Sequence, residues 1–181
     1  MHPLLIFSRI LVVFSTIFAF LGWVIPCLWQ ENYKVYSGYS YRTNIIYCGN
    51  FQCTCSGPDC PTELTKFSDW KNIDLDVRNG LIISMILGGI GMIHIFIAVS
   101  LFSKRSPYAQ YAFSAGGLVT FIGLMSFIGL FQKSSYYDAI IDLDKGNPYF
   151  SWSYSASTAF QILVFIFAVF LQITITKLKR I

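Results

Sequence analysis

Four stretches of this chain, 10–28, 81–102, 112–131 and 159–176, run for roughly 18 to 22 residues without one Asp, Glu, Lys or Arg. A hydrocarbon core of about 30 Å needs roughly 20 apolar residues of helix to cross it. Each run is therefore long enough to span a bilayer. Backbone polar groups in lipid must be satisfied within the segment or in a closed barrel, and four isolated runs cannot close a barrel, so the spans are expected to be helices. Only 12% of the residues are charged and 55% are hydrophobic, far from the balance of a soluble domain.

The charges between the runs predict orientation. Arg9, Lys104, Arg105, Lys177, Lys179 and Arg180 lie before the first span, in the 103–111 turn and after the last span, with no acidic residue among them. The two long connections, 29–80 and 132–158, hold all nine Asp and Glu and the other seven Lys and Arg. By the positive-inside rule both termini and the short turn are cytosolic and the long loops face the other side. The net charge of +4 is then a topology signal, with no nucleic-acid partner implied. The apolar run near the N-terminus has only Arg9 before it, and "GWVIPCLW" is a poor small-residue cleavage site, so it is read as a first membrane helix.

Within the first loop Cys48, Cys53, Cys55 and Cys60 fall in thirteen positions. On the non-cytosolic side disulfides form and persist. A redox reading wants CxxC pairs and a second cysteine pair, and the second loop has no cysteine; an all-thiolate zinc site wants paired CxxC knuckles. A disulfide staple is the expectation, with three pairings open; Cys53 to Cys60 and Cys48 to Cys60 are the favoured ones. Cys27, at the end of the first span, is the odd thiol and is read as buried and inert.

The rest of the first loop divides in two. Residues 29–55 are rich in Tyr, Val, Ile and Thr and punctuated by Gly38 and Gly49, which is strand composition broken by turns. Gly57-Pro58-Asp59 reads as a turn. From Pro61 on, Thr62 is a candidate cap for a short helical turn carrying Leu64, Phe67 and Trp70. The second loop reads as a polar extension of span three, followed by Tyr149, Trp152 and Tyr154 at the level of an interfacial aromatic belt. Both loops share one side, so a small sheet capping the helices is expected.

Chemistry inside the spans is sparse. His94 is the one ionisable group well inside a run; it is either functional or a neutral imidazole bonded to Ser or Thr of a neighbouring helix. Gly88, Gly89, Gly91, Gly116, Gly117, Gly123 and Gly129 offer shallow surfaces, for packing within one bundle or for an oligomer face. No nucleophile, acid and base set, phosphate loop or metal-ligand motif is legible. The expectation is a non-enzyme with no catalytic residue, cofactor or metal.

This plan resembles the claudin superfamily, which also contains peripheral myelin and epithelial membrane proteins and the tetraspan regulatory subunits of calcium channels and glutamate receptors. In claudins a Trp follows span one, then a Gly-Leu-Trp and two cysteines joined by a disulfide, and an Arg precedes span two. Trp29 is similar to the first Trp; Gly49, Phe51 and Cys53 in "GNFQC" resemble the Gly-Leu-Trp and Cys; Arg78 in "LDVRNGL" resembles the Arg; and "YFSWSYSAST" is similar to the entry into span four. Phe stands for Trp at 51, Cys follows after one residue instead of two, and two extra cysteines suggest a second bridge. Tetraspanins match less well, since their large cysteine-rich loop lies between spans three and four.

The resemblance implies an all-α four-helix membrane bundle with a small extracellular antiparallel β-sheet cap, in one domain of 181 residues. It implies action through the outer loops in cell–cell contact or paracellular barrier formation, or as an auxiliary subunit of an ion channel or receptor. Partners are then membrane lipid and a second copy or another membrane protein, such as a claudin-like protein or a channel subunit. Exposed aromatics among Tyr36, Tyr39, Tyr41, Phe67 and Trp70 are the candidate contact residues, weighed against plain sheet composition. The tail "KLKRI" lacks the Tyr-Val ending of many claudins. The location implied is the plasma membrane; Lys177 and Lys179 also resemble a dilysine retrieval signal, which would place the chain in the endoplasmic reticulum instead.

Overall fold

In a computed structural model, residues 3–25, 28–50, 53–58, 74–103 and 108–178 are described. Cys27, Phe51, Cys60, Thr62, Leu64, Phe67, Trp70, Lys104, Arg105, Lys179 and Arg180 lie outside them. Five helices carry most of the chain: α1 (Pro3–Val24), α2 (Leu75–Ser103), α3 (Ala109–Lys133), α4 (Ser135–Gly146) and α5 (Ala156–Leu178). Four of these, α1, α2, α3 and α5, are long and apolar enough to cross a membrane, so the chain is a multi-pass membrane protein.

Local chemistry places the helix ends. The apolar run of the first span continues to Leu28, but α1 stops at Val24. Ile25 precedes Pro26, a position biased away from helical geometry, and the chain leaves for the sheet. The carbonyls left over at this end are covered by other segments: Ser157 Oγ and Gln161 Nε2 (2.8 Å) of α5 donate to Gly22 O, and Asn50 Nδ2 donates to Trp23 O at 3.3 Å. Helix α2 starts six residues before the apolar run, because Asp74 caps it: Asp74 Oδ1 accepts from the Asp76 N–H at 2.9 Å. At about 1.5 Å per residue, its 29 residues exceed the hydrocarbon thickness.

The expected extension of span three is a separate helix. Ser134 takes an extended conformation (φ −75°, ψ 150°), its Oγ accepts from the Tyr137 N–H at 3.1 Å, and a new helix starts there. The same hydroxyl donates to Phe131 O at 2.6 Å, closing α3. One serine thus ends one helix and caps the next.

Helix α2 packs most extensively on α3, and α1 on α5, with α3 against α5 completing the bundle. Close approach explains the glycines: a Cβ on Gly91 would sit 2.1 Å from Thr120 Oγ1, and one on Gly88 would sit 2.6 Å from the Trp23 ring. Six of the seven span glycines abut a neighbour within the chain, as bundle packing requires, while Gly129 meets nothing within 4 Å. His94 Nδ1 bonds Ile90 O, one turn back on its own helix, at 2.9 Å. The expected Ser or Thr of a neighbouring helix is not its partner.

The cap is one antiparallel four-stranded sheet in the order β3-β2-β1-β4, from β1 (Trp29–Ser37), β2 (Ser40–Cys48), β3 (Cys53–Ser56) and β4 (Phe150–Tyr154). The first loop supplies three strands and the second loop the fourth. Strands β1 and β2 join through the two-residue turn Gly38-Tyr39, where Gly38 takes φ +65°. Gly57 leaves β3 at φ +149°, with no room for a Cβ beside Asn44. Two buried clusters result. One lies under the sheet around Trp29, Leu81, Leu124, Phe127 and Phe131; the other, around Ile95, Phe113, Val164 and Leu171, fills the far half of the bundle.

Candidate functional site: the two faces of the cap sheet

Successive side chains of a strand point to opposite faces, and the register sorts them here. Trp29, Cys48, Cys53 and Tyr154 form one cross-strand row, and Glu31, Ile46, Cys55 and Trp152 the next. These rows face the helices. Trp29 is buried and packs on Phe127 and Phe131, with ring centroids 5.7 and 5.1 Å away, while Trp152 and Tyr154 pack on Phe131 and each other. Trp152 and Tyr154 are therefore strand residues of the core, where an interfacial belt was expected.

Glu31 is the carboxylate on this inner face. It accepts from Trp29 Nε1 at 3.1 Å and from the Tyr136 hydroxyl of α4. Burial, then the charge of Glu31 and its hydrogen bond, push the Tyr136 phenol far above its ordinary value, so it stays a neutral donor. At the edge of the same region Asp74 accepts from the N–H and hydroxyl of Ser135, linking the start of α2 to the start of α4. The Ser135 hydroxyl first, and the Asp76 N–H after it, hold the Asp74 carboxyl below its usual range.

The disulfide joins Cys48 to Cys53. This corrects both favoured pairings with Cys60. The β2–β3 hairpin sets the two residues directly opposite with their Cα atoms 4.1 Å apart, a distance short enough for a bridge, whereas spacing along the chain says nothing of cross-strand register. Cys55 is disulfide-bonded as well. Of the residues carrying the family resemblance, Trp29 and Cys53 are buried and each lies opposite Cys48 in the sheet, Gly49 is buried just after β2, and Arg78 is half-buried in the first turn of α2.

The opposite face bears Gln30, Asn32, Lys34, Tyr36, Tyr41, Thr43, Ser151 and Ser153. Tyr36 and Tyr41 are cross-strand partners with rings 5.4 Å apart, and Tyr41 stacks on Tyr149 of the second loop at 4.9 Å. The Tyr41 and Tyr149 hydroxyls hydrogen-bond at 3.0 Å, and this bond raises the Tyr41 pKa. The Lys34 N–H donates to Tyr149 O at 2.8 Å, which holds the second loop's ring in the row. Tyr36, Tyr41 and Tyr149 are 65%, 52% and 42% exposed, and Tyr39 in the turn is fully so. Three of the five candidate contact residues, Tyr36, Tyr39 and Tyr41, are thus grouped at one hairpin end; Phe67 and Trp70 lie outside the described residues.

Sequence reasoning missed Tyr149 as a member of this row. Its only signal was position, one residue before a strand that pairs with β1. The surface groups phenols with amide and hydroxyl side chains and Lys34 beside them, a composition suited to contact. Among the described residues no group of three His, Cys, Asp or Glu could hold a metal ion. In comparisons with known proteins, the chain matches no protein-family model and no curated protein sequence.

Proposed function

We propose that this chain is a claudin-like membrane protein that acts through its two long loops in cell–cell contact or paracellular barrier formation. The observation that carries the reading is the Tyr36–Tyr41–Tyr149 row, an exposed aromatic surface built jointly by both loops on the sheet face turned away from the bundle. Tyrosine gives large contact area with a polar tip at low entropic cost and is enriched at binding hot spots. Supporting it are the four spans, the strand-rich first loop with its Cys48–Cys53 bridge, and a charge distribution for which the positive-inside rule expects both termini in the cytosol.

Cells lacking junctions and expressing the chain test this directly. Intramembrane strands by freeze-fracture at contacts between two expressing cells, lost in a Tyr36→Ala/Tyr41→Ala/Tyr149→Ala variant that still reaches the surface, are the expected result. Absence of strands together with co-purification of one pore-forming protein would replace this reading by the auxiliary-subunit one. Retention in the endoplasmic reticulum, relieved by changing Lys177 and Lys179 to Arg, would place the function in the early secretory pathway.

A further inference from the structure

Cys55 is disulfide-bonded, and Cys48 and Cys53 are bonded to each other, so the partner of Cys55 is one of the two other cysteines in the sequence, Cys27 or Cys60. The sheet register decides between them. Cys55 lies opposite Ile46 and Ile46 opposite Glu31, which puts Cys55 two strands, about 9.5 Å, from Glu31. Leu28 carries the ladder one residue beyond Trp29: its N–H donates to Cys48 O at 2.5 Å, and its carbonyl accepts from the Ser155 N–H at 2.9 Å. Three residues of extended chain, about 10 Å, separate Leu28 from Glu31 along the strand. The Cα atoms of Leu28 and Cys55 are therefore about 14 Å apart. Cys27 is one step of about 3.8 Å from Leu28, so its Cα stays about 10 Å or more from that of Cys55 in any backbone conformation. Bridged cysteines have Cα atoms roughly 4.4–6.8 Å apart, which leaves Cys60.

The chain after Cys55 turns in the way this bridge requires. Had β3 run straight on, residue 60 would lie about 17 Å from Cys55. Instead the strand ends at Ser56, Gly57 takes φ +149° against Asn44, and the chain turns at Pro58. A separation of five residues is also what Cys48–Cys53 spans around the β2–β3 hairpin. Strand β3 has only four residues and lies at the edge of the sheet, where one ladder of hydrogen bonds holds it.

We propose that Cys55 pairs with Cys60, so that two bridges of equal span, Cys48–Cys53 and Cys55–Cys60, fasten the edge strand of the cap at successive inward-facing positions. Closing the second bridge takes one proton and one electron from each thiol; a protein disulfide receives them by thiol–disulfide exchange and is left as a dithiol. The test uses the full chain, purified in detergent without reductant. Limiting phosphine at acid pH, where thiols stay protonated and exchange is slow, opens one bridge per molecule, and the released pair is labelled and mapped by mass spectrometry. Singly opened molecules are expected to carry label on Cys55 and Cys60 together or on Cys48 and Cys53 together. In a Cys48→Ser/Cys53→Ser variant, cleavage after Phe51 and before Asp59 should leave the 52–58 peptide, which then holds Cys55 alone, joined to the peptide that contains Cys60. Label on Cys55 together with Cys27, a mixed pair among the four loop cysteines, or a free thiol at Cys60 in the unreduced protein would overturn the pairing. The wild-type labelling needs no substitution, so the result stands even if the double variant folds poorly.

Discussion

The two faces of the cap sheet are made by the same strands from similar residues, yet one is packed on the helices and the other is exposed. The inner face carries Trp29, Trp152 and Tyr154 on the Phe127–Phe131 platform and is tied by Cys48–Cys53 and Glu31. The outer face carries Tyr36, Tyr41 and Tyr149 in contact with each other and with solvent. Aromatic composition alone does not separate stability from recognition; which side of the pleat a ring occupies does. Substitution on the inner face should cost folding, and on the outer face association.

The sharpest break of this comparison is Trp29→Ala. Removing a buried Trp from a packed aromatic cluster costs about 3–5 kcal/mol, and here it also takes a donor from Glu31. Thermal unfolding of the detergent-purified chain should move to much lower temperature; near-wild-type behaviour would show that the sheet does not rest on α3. Cys53→Ser comes next, at about 2 kcal/mol for so short a closed loop. Peptide mapping of the unreduced protein should find Cys48 linked to Cys53, and a peptide joining either to Cys60 would refute the register.

Tyr136→Phe should cost about 2 kcal/mol, the range for a hydrogen bond to a charged group. It also has a pH signature. The Tyr136 pKa is raised by folding, so its contribution is complete below the ordinary tyrosine value of 10.0 and is lost as pH rises above it, because the unfolded chain ionises there and the folded one resists. The wild type should therefore lose stability above about pH 10 more steeply than Tyr136→Phe does. An identical alkaline limb in the two proteins would mean that the phenol is not buried against Glu31.

The smallest effect on stability is expected at Tyr41. Tyr41→Ala removes two ring contacts on an exposed face, about 1 kcal/mol, while contact-dependent association should fall at least about tenfold if the ring is a hot spot. Loss of stability without loss of association would make the outer row ordinary sheet packing and remove the ground for a contact role.

Legibility tracked how local each feature is. The three later spans, the strand character of the first loop and the Gly38 turn come from runs or dipeptides that act on their own neighbourhood. The helix starts at Leu75 and Ser135 were missed because each depends on one polar residue, Asp74 or Ser134, whose capping role appears only once its acceptor geometry is known. Tyr149 was placed in a membrane belt because its partner Tyr41 lies 108 residues earlier.

The sequence by itself determined that four helices cross a membrane and that two loops rich in strand formers, turns and cysteines share one side, since uncharged length and charge asymmetry act through the bilayer, whatever the packing. Only the tertiary structure decided that β4 closes onto β1, that Cys48 meets Cys53, and that three tyrosines align on the exposed face. Cross-strand register is a non-local choice: it is set when Trp29 and its neighbours bury themselves on α3, and a slip of one residue would turn every side chain to the other face.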